Sequence, residues 1–162
     1  MKTIIQNGIV VTMDQQMQVW DHGYVIIDGT KIVEAGPESE LELKKAALAR
    51  VGENWQEKDA CRGIIMPGMG NTHSHLGMIP FRGLGDDCKD RLRVFLLPME
   101  SQAMDAELAA ASARYGICEL LLSGVTTVLD MYYFEEKVAH IMDQMGIRGI
   151  AGETVMEDAT CD

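Results

Sequence analysis

Apolar and β-branched residues dominate the first fifth of the chain, in short runs separated by turn residues. The segments TIIQNGIVVTMD and YVIIDGTKIVEAG predict β-strands, with a turn at Asn7-Gly8 and a tight hairpin across Asp28-Gly29. Alternation along the hairpin predicts one buried face. Its members are Val25, Ile27, Ile32 and Ala35. Residues 38–50 predict a short helix, and residues 51–62 a polar connector.

The pattern changes from residue 63 onward. Residues 63–67 form an apolar run that predicts a strand ending at Pro67, and residues 77–100 predict a long loop with a helical turn near 90–97. Apolar spacing of three and four predicts a helix from Asp105 to Ser123. The face that this spacing predicts to be buried contains Leu108, Ala111, Tyr115, Cys118 and Leu122.

Strands and helices alternate in the rest of the chain. VTTVLDM predicts a strand, residues 135–145 a helix, and IRGIAGETV another strand. Such alternation is typical of an α/β fold with a parallel sheet, either doubly wound or a (β/α)₈ barrel. Both architectures place functional groups just beyond the carboxyl ends of the strands.

Composition narrows the function classes. The chain has 162 residues and a formal net charge of −11, which argues against nucleic acid as a partner. Its four cysteines form no CxxC pair, which favours reduced thiols in a cytoplasmic protein. The N-terminal segment is neither a signal peptide nor a membrane span by its pattern, so we expect no membrane partner.

The segment PGMGNTHSHLG contains the strongest candidate chemistry. His73 and His75 are two residues apart just beyond the 63–67 run. In an extended segment such residues point to the same side, so both imidazoles could hold one metal ion. The alternative is a pair of polar surface residues, because an H-x-H pair also arises by chance.

The longer segment GIIMPGMGNTHSHLGMIPFRGLGDD resembles the amidohydrolase superfamily, in its deaminase and chlorohydrolase branch. That branch includes methylthioadenosine/S-adenosylhomocysteine deaminase, guanine deaminase and triazine hydrolases. The matching pieces are MPG, N-T-H-x-H, RGL and the following DD, and the similarity continues through LLPME and GVTTVLDMYYF. It covers the N-terminal portion of such enzymes and nearly all of this chain.

The resemblance implies a hydrolase of non-peptide C–N bonds, namely an aminohydrolase of a purine-, pterin- or triazine-like ring that uses metal-activated water. It implies one divalent metal, Zn²⁺ with Fe²⁺ as the alternative, and His73 and His75 as its first two ligands. Glu100 matches a substrate-contacting glutamate; the alternative is a solvated acid before a helix. Glu153 stands where the adenosine-type deaminases carry a substrate-contacting arginine, so their substrate is not simply carried over.

The resemblance also implies the domain organisation. Residues 1–62 would be part of a small β-sandwich, and residues 63–162 the first βα units of a (β/α)₈ barrel, with about three of its eight strands. The later ligands and acid–base residues of the family have no match here, so we expect no catalytic residue in this chain. The alternative function is therefore an inactive N-terminal fragment that needs a complementary C-terminal chain or forms a homo-oligomer.

Overall fold

The computed structural model describes residues 1–155, which fall into two compact units divided between Pro67 and Gly68. It is an α/β protein. Across the described residues, none of the helices combines the length and the apolar character that a membrane crossing requires.

The first unit is built on one mixed sheet. Strands β1 (Lys2–Val11), β2 (Val19–Asp28) and β3 (Lys31–Pro37) are antiparallel neighbours, and the Asp28-Gly29 hairpin is confirmed. Two further strands, β4 (Trp55–Asp59) and β5 (Ile64–Ile65), both pair with β1 in parallel. Helix α1 (Leu41–Arg50) follows a single 3₁₀ turn and confirms the predicted helix.

Two predictions in this unit were wrong. Asn7-Gly8 does not form a turn: β1 continues through it, and Asn7 has a left-handed φ of 58° at an irregularity in the β1–β2 register. An Asn-Gly pair accommodates a bulge as readily as a turn, because both require a positive φ. Residues 51–62 are not merely a connector, because they contain β4.

The prediction for the buried face of the hairpin is confirmed only at Val25, which is 6% exposed. Ile32 is 59% exposed, whereas Tyr24 and Ile26, on β2, pack with Ile4 and Leu41 in the core of the unit. Leu41 is the first residue of α1, so the face of the sheet that α1 covers becomes the core. Alternation identifies two faces but does not say which one a helix will cover.

The second unit is built on three parallel strands. Strands β6 (Met69–Ser74), β7 (Val125–Tyr132) and β8 (Arg148–Glu153) lie in the order β6-β7-β8. Helices α2 (Leu97–Ala103) and α3 (Ala106–Leu122) connect the first pair, and α4 (Glu135–Met145) connects the second. The predicted alternation is therefore confirmed, and α4 has the predicted bounds.

The first of these strands begins later than predicted. Within residues 63–67, Ile64 and Ile65 form β5 and pair with β1 in the first unit. His73 therefore lies inside β6, and only His75 follows the strand. A short apolar run predicts a buried strand but not its partner, which here is the apolar segment Ile9–Val10.

The buried face of α3 was predicted wrongly. Tyr115 and Leu122 are exposed, and the buried residues are small ones around a single Ile. They are Ala109, Ser112, Ala113, Gly116 and Ile117. A Cβ on Gly116 would lie 2.8 Å from Leu76 Cδ2, so the small face lets α3 approach the segment after β6 closely. Spacing rules weight large apolar residues and overlook such a face.

The predicted long loop contains more structure than expected. Residues Leu76–Phe81 form a 3₁₀ helix, and Leu92–Leu96 form a π-helical segment that leads into α2. Two apolar clusters stabilise this unit: one joins α3, α4 and β7, and the other surrounds Phe81 and Tyr132. The 3₁₀ helix packs against α3, which fixes the chain directly after the histidine pair.

Candidate metal centre

The two imidazoles lie side by side at the carboxyl end of β6. The ring centroids of His73 and His75 are 4.9 Å apart, and the ring planes meet at 78°. The i, i+2 spacing in an extended segment places both rings on the same side. This separation is compatible with both imidazoles binding one small cation.

Backbone contacts hold this segment in place. Asn71 Oδ1 accepts a hydrogen bond from the His73 backbone N–H at 3.1 Å. The Leu76 N–H, the first after His75, donates to both carboxylate oxygens of the buried Asp130, at 2.8 and 3.1 Å. The polypeptide on either side of His75 is therefore tied to β6 itself and to β7.

The ring of His75 is oriented by the neighbouring strand. Its Nδ1 lies 2.5 Å from the backbone oxygen of Met131, in β7. A carbonyl oxygen can only accept, so Nδ1 carries the proton and Nε2 of the neutral ring keeps its lone pair. A backbone carbonyl on one ring nitrogen is a common way to orient a histidine whose other nitrogen binds a metal. The donor set at His75 thus suits a divalent cation.

Glu100 lies near the pair and is not a solvated acid. It is within α2, is 4% exposed, and lies beside the Tyr132 side chain. Burial raises the pKa of Glu100, while the neighbouring Tyr132 hydroxyl, and the charge of His75 when its ring is protonated, lower that pKa in part. The structure thus brings Glu100 close to His75, although the two are 25 residues apart in sequence.

A cavity of about 430 Å³ adjoins His75, between the 3₁₀ helix and α3. The arginine of the RGL motif, Arg82, lines it and forms a bidentate ion pair with Glu119, at 2.9 and 3.1 Å. Asp86, from the following acidic pair, also lines the cavity and pairs with Arg91 at 3.2 Å. These motif residues therefore shape a cleft beside the histidines.

The remaining histidines lie elsewhere. His22 lies in β2 of the first unit, and His140 lies on α4, where its Nε2 is 2.9 Å from Gln144 Nε2. Within residues 1–155 there is no cluster of three or more His, Cys, Asp or Glu side chains arranged to hold a metal. His73 and His75 are the candidate ligands in the described part of the chain.

Sequence reasoning missed a group of acids behind the histidine segment. Glu135, the first residue of α4, is 3% exposed, and its two carboxyl oxygens have no hydrogen-bond partner among the described residues. Burial, together with the charges of Asp130 and Glu153, raises the pKa of Glu135 to about 9. In the sequence, the two acids of EEK (residues 135–137) are typical of an exposed helix start, and the pattern does not indicate that Glu135 is buried.

Glu153 ends β8 and binds the start of α4. Its carboxylate accepts the N–H groups of Phe134 and Glu135 at 3.1 and 2.7 Å. Phe134 has a left-handed φ of 58° and offers no side-chain cap, so Glu153 serves as the cap from a neighbouring strand. This acid therefore has a structural role in the position where an arginine was expected from the resemblance.

Comparison with known proteins places the chain in a family. The sequence profile of the amidohydrolase family matches residues 64–161, which is more than half of the 162 residues. The chain belongs to the amidohydrolase family. The matched region of this amidohydrolase begins at β5 and includes the histidine pair, the cavity and the acidic group.

Named relatives agree with this assignment. The amidohydrolase is 32% identical over 157 residues to 5-methylthioadenosine/S-adenosylhomocysteine deaminase 1 of Syntrophus aciditrophicus, covering 96% of this chain and 34% of that protein. It thus spans about a third of the length of such curated relatives.

Solved structures share the fold. A triazine hydrolase from Arthrobacter aurescens superposes with a TM-score of 0.77 at 23% identity, covering 96% of this chain and 36% of that one. An adenosine deaminase from Xanthomonas campestris, solved with bound zinc, superposes with a TM-score of 0.72 at 25% sequence identity. The superposition covers 91% of this chain and 33% of that one.

Proposed function

We propose that this chain carries the first two metal ligands of a hydrolase of non-peptide C–N bonds, an aminohydrolase of a purine-, pterin- or triazine-like ring. The observation that carries the proposal is the position of His73 and His75. Their rings are 4.9 Å apart at the carboxyl end of a parallel strand, and Nδ1 of His75 is occupied by a backbone carbonyl. The family supports hydrolysis, and the deaminase and triazine hydrolase relatives support a small heterocyclic substrate.

His73 and His75 would hold one divalent ion, which we propose to be Zn²⁺, with Fe²⁺ as the alternative. Neutral imidazole nitrogen suits both ions, and the adenosine deaminase with the same fold was solved with zinc. A divalent ion held by these two residues would supply activation of water as the nucleophile. In this proposal Glu100 contacts the substrate, because its buried carboxyl lies beside His75.

A second candidate concerns the chain by itself. A catalytic zinc site needs about three protein ligands, and the described residues offer two at this place. We propose that β6, β7 and β8 are part of a (β/α)₈ barrel, and that the sheet of the first unit is part of a β-sandwich. The 162-residue chain alone would then have little or no turnover, and a complementary chain or a second copy would supply the missing groups.

We also propose a cytoplasmic location. Cys61, Cys88 and Cys118 are free and exposed, which suits a reducing compartment.

Metal titration tests the proposed site. Calorimetric titration with Zn²⁺ should show binding that is lost in His73→Asn and in His75→Asn. The matched control is His22→Asn, which changes an exposed histidine of the first unit and should bind as the unsubstituted protein does. Equal Zn²⁺ binding by all four proteins would refute the assignment of the pair as metal ligands.

An activity assay separates the two candidates. Ammonia release from adenosine-type nucleosides, guanine, pterins and aminotriazines should be negligible for the chain with Zn²⁺ alone. Turnover at ordinary enzymatic rates, about 1 to 10³ s⁻¹, would show that the chain is active by itself and would exclude the fragment alternative.

A further inference from the structure

The pairing of β6 with β7 is irregular at the histidine pair. Asn71 lies opposite Val128 in β7. Ser74, three residues further along β6, lies opposite Asp130, which is only two residues further along β7. Strand β6 therefore contains one extra residue here, as in a β-bulge. The residues between the two pairs, His73 included, have no partner in the described register of these strands, so one candidate ligand lies in the bulge itself.

The bulge decides which residue of β7 the second histidine meets. The register set by Asn71 and Val128, if continued, would place His75 opposite Tyr132. The register after the bulge places His75 opposite Met131 instead. The 2.5 Å contact between His75 Nδ1 and the Met131 backbone oxygen agrees with the second register. The contact that orients the His75 ring therefore depends on the extra residue.

The side chain of Asn71 supports the bulge from within the strand. An extra residue disrupts the ladder of backbone hydrogen bonds, and a backbone N–H that loses its partner needs another acceptor. Asn71 Oδ1 accepts the His73 backbone N–H at 3.1 Å. Asparagine and aspartate are suited to this bond, because their short side chains reach the backbone two residues further on. Asn71 thus satisfies the backbone of the residue that the bulge displaces.

We propose that Asn71 is a positioning residue: its side-chain oxygen holds the bulge at His73 and thereby keeps His75 in register with Met131. It acts on His73 directly, through the backbone N–H, and on His75 through the register of the strand. Loss of the bond favours a β6 without the bulge, in which His75 leaves the Met131 carbonyl. This inference rests on the proposed function, since its consequence for chemistry is the placement of two metal ligands.

Three variants separate the acceptor from the side chain that carries it. Asn71→Ala removes the oxygen, whereas Asn71→Asp retains an oxygen that can accept the same bond. The matched control is Thr72→Ala, which shortens an exposed side chain of the same bulge and leaves Asn71 in place. Circular dichroism and urea midpoints establish that each variant folds.

Hydrogen exchange at the His73 amide tests the bond itself. Asn71→Ala should speed this exchange by about fivefold, as expected for the loss of one ordinary hydrogen bond. Asn71→Asp and Thr72→Ala should leave the rate within about twofold of the unsubstituted protein, because the acceptor is retained. If the His73 amide of the unsubstituted protein exchanges as fast as that of an unstructured chain, the proposal is overturned whether or not the variants fold.

The ¹⁵N spectrum of the histidine rings tests the register. In metal-free protein at about pH 8.5, where imidazoles are neutral, His75 should carry its proton on Nδ1, since the Met131 carbonyl accepts it. Asn71→Ala should lose this preference and Asn71→Asp should keep it. General destabilisation would not select one ring, and His22 and His140 are the internal references. An unchanged His75 tautomer in Asn71→Ala would show that the register does not depend on Asn71.

Zn²⁺ affinity connects the register to the proposed function. Asn71→Ala should bind Zn²⁺ about tenfold more weakly, as expected for the loss of a group that orients ligands. Thr72→Ala should bind within about twofold of the unsubstituted protein, on the same ground. Asn71→Asp should bind no more weakly than the unsubstituted protein, because it keeps the acceptor and adds a negative charge.

The outcomes separate the two proposals. If Asn71→Ala keeps the His73 exchange rate and the His75 tautomer, or if Asn71→Asp fails to restore them, the positioning role is wrong and the metal site stands. If the unsubstituted protein binds no Zn²⁺, the proposed function is wrong, and the amide and ring signals alone decide whether Asn71 sets the register.

Discussion

Gly77→Ala is expected to destabilise the second unit, because Gly77 lies against an aromatic ring. A Cβ at this position would lie 2.3 Å from Cδ1 of Tyr132, whereas ordinary contacts begin near 3.4 Å. The ring and the 3₁₀ helix would therefore have to separate by about 1.1 Å. Tyr132 has little freedom to move, since it is 5% exposed and its ring centroid is 4.8 Å from that of Tyr133.

Overpacking of this kind costs about 1–3 kcal/mol. Gly77 has no positive φ, so backbone strain adds nothing to this figure. Because about 1 kcal/mol shifts the midpoint of a small unit by roughly 4–8 °C, the melting temperature should fall by at least several degrees. The displacement would begin two residues after His75, so Zn²⁺ affinity should fall as well.

Urea denaturation followed by circular dichroism measures the stability change. The matched control is Gly70→Ala in β6, where a Cβ would meet nothing within 4 Å. The control should be neutral or slightly stabilising, since alanine reduces the freedom of the unfolded chain. Equal midpoints for the two variants would show that the close approach of Gly77 to Tyr132 does not exist in solution.

Two further substitutions test the helix packing. Ile117→Ala, on the small buried face of α3, should lower the unfolding free energy by about 2–5 kcal/mol. Leu122→Ala, on the exposed side, should change it by no more than about 0.5 kcal/mol. The reverse order would support the buried face that was predicted from sequence. Asp105→Ala removes the cap that accepts the Leu108 N–H at 2.8 Å and should cost about 0.5–2 kcal/mol, while Asp105→Ser should recover most of it. Urea midpoints compare each pair, and equal losses in both cap variants would contradict a capping role.

Much of the second unit could be predicted from sequence because its signals are local. The helix at 135–145 has acids in its first turn and Gly146 at its end, where a left-handed φ of 73° is required. Strands β7 and β8 are β-branched or apolar runs, and each follows the end of a helix. Their parallel pairing follows from the alternation with helices, and the structure confirms it.

Several of the errors share one physical cause: they concern which neighbour an element meets. The run at 64–65 is a strand, as expected, but its partner is β1. Helix α3 is where it was predicted, but it buries its small residues because the 3₁₀ helix approaches closely at Gly116. Partner choice depends on contacts between distant segments, and no pattern within a short window contains that information.

The environment of the histidine pair could not be predicted from sequence either, and the contacts of β7 explain why. Three consecutive residues of that strand each hold a different part of the site. The Asp130 carboxylate accepts the Leu76 N–H, the Met131 carbonyl contacts the His75 ring, and the Tyr132 side chain lies beside Glu100. The two side chains point to the buried face, while Met131 is exposed and contributes its backbone. The sequence DMY does not indicate this role, because every residue type carries the same backbone carbonyl. The histidines can therefore be found from sequence, whereas the groups that orient them follow only from the register of β7 beside β6.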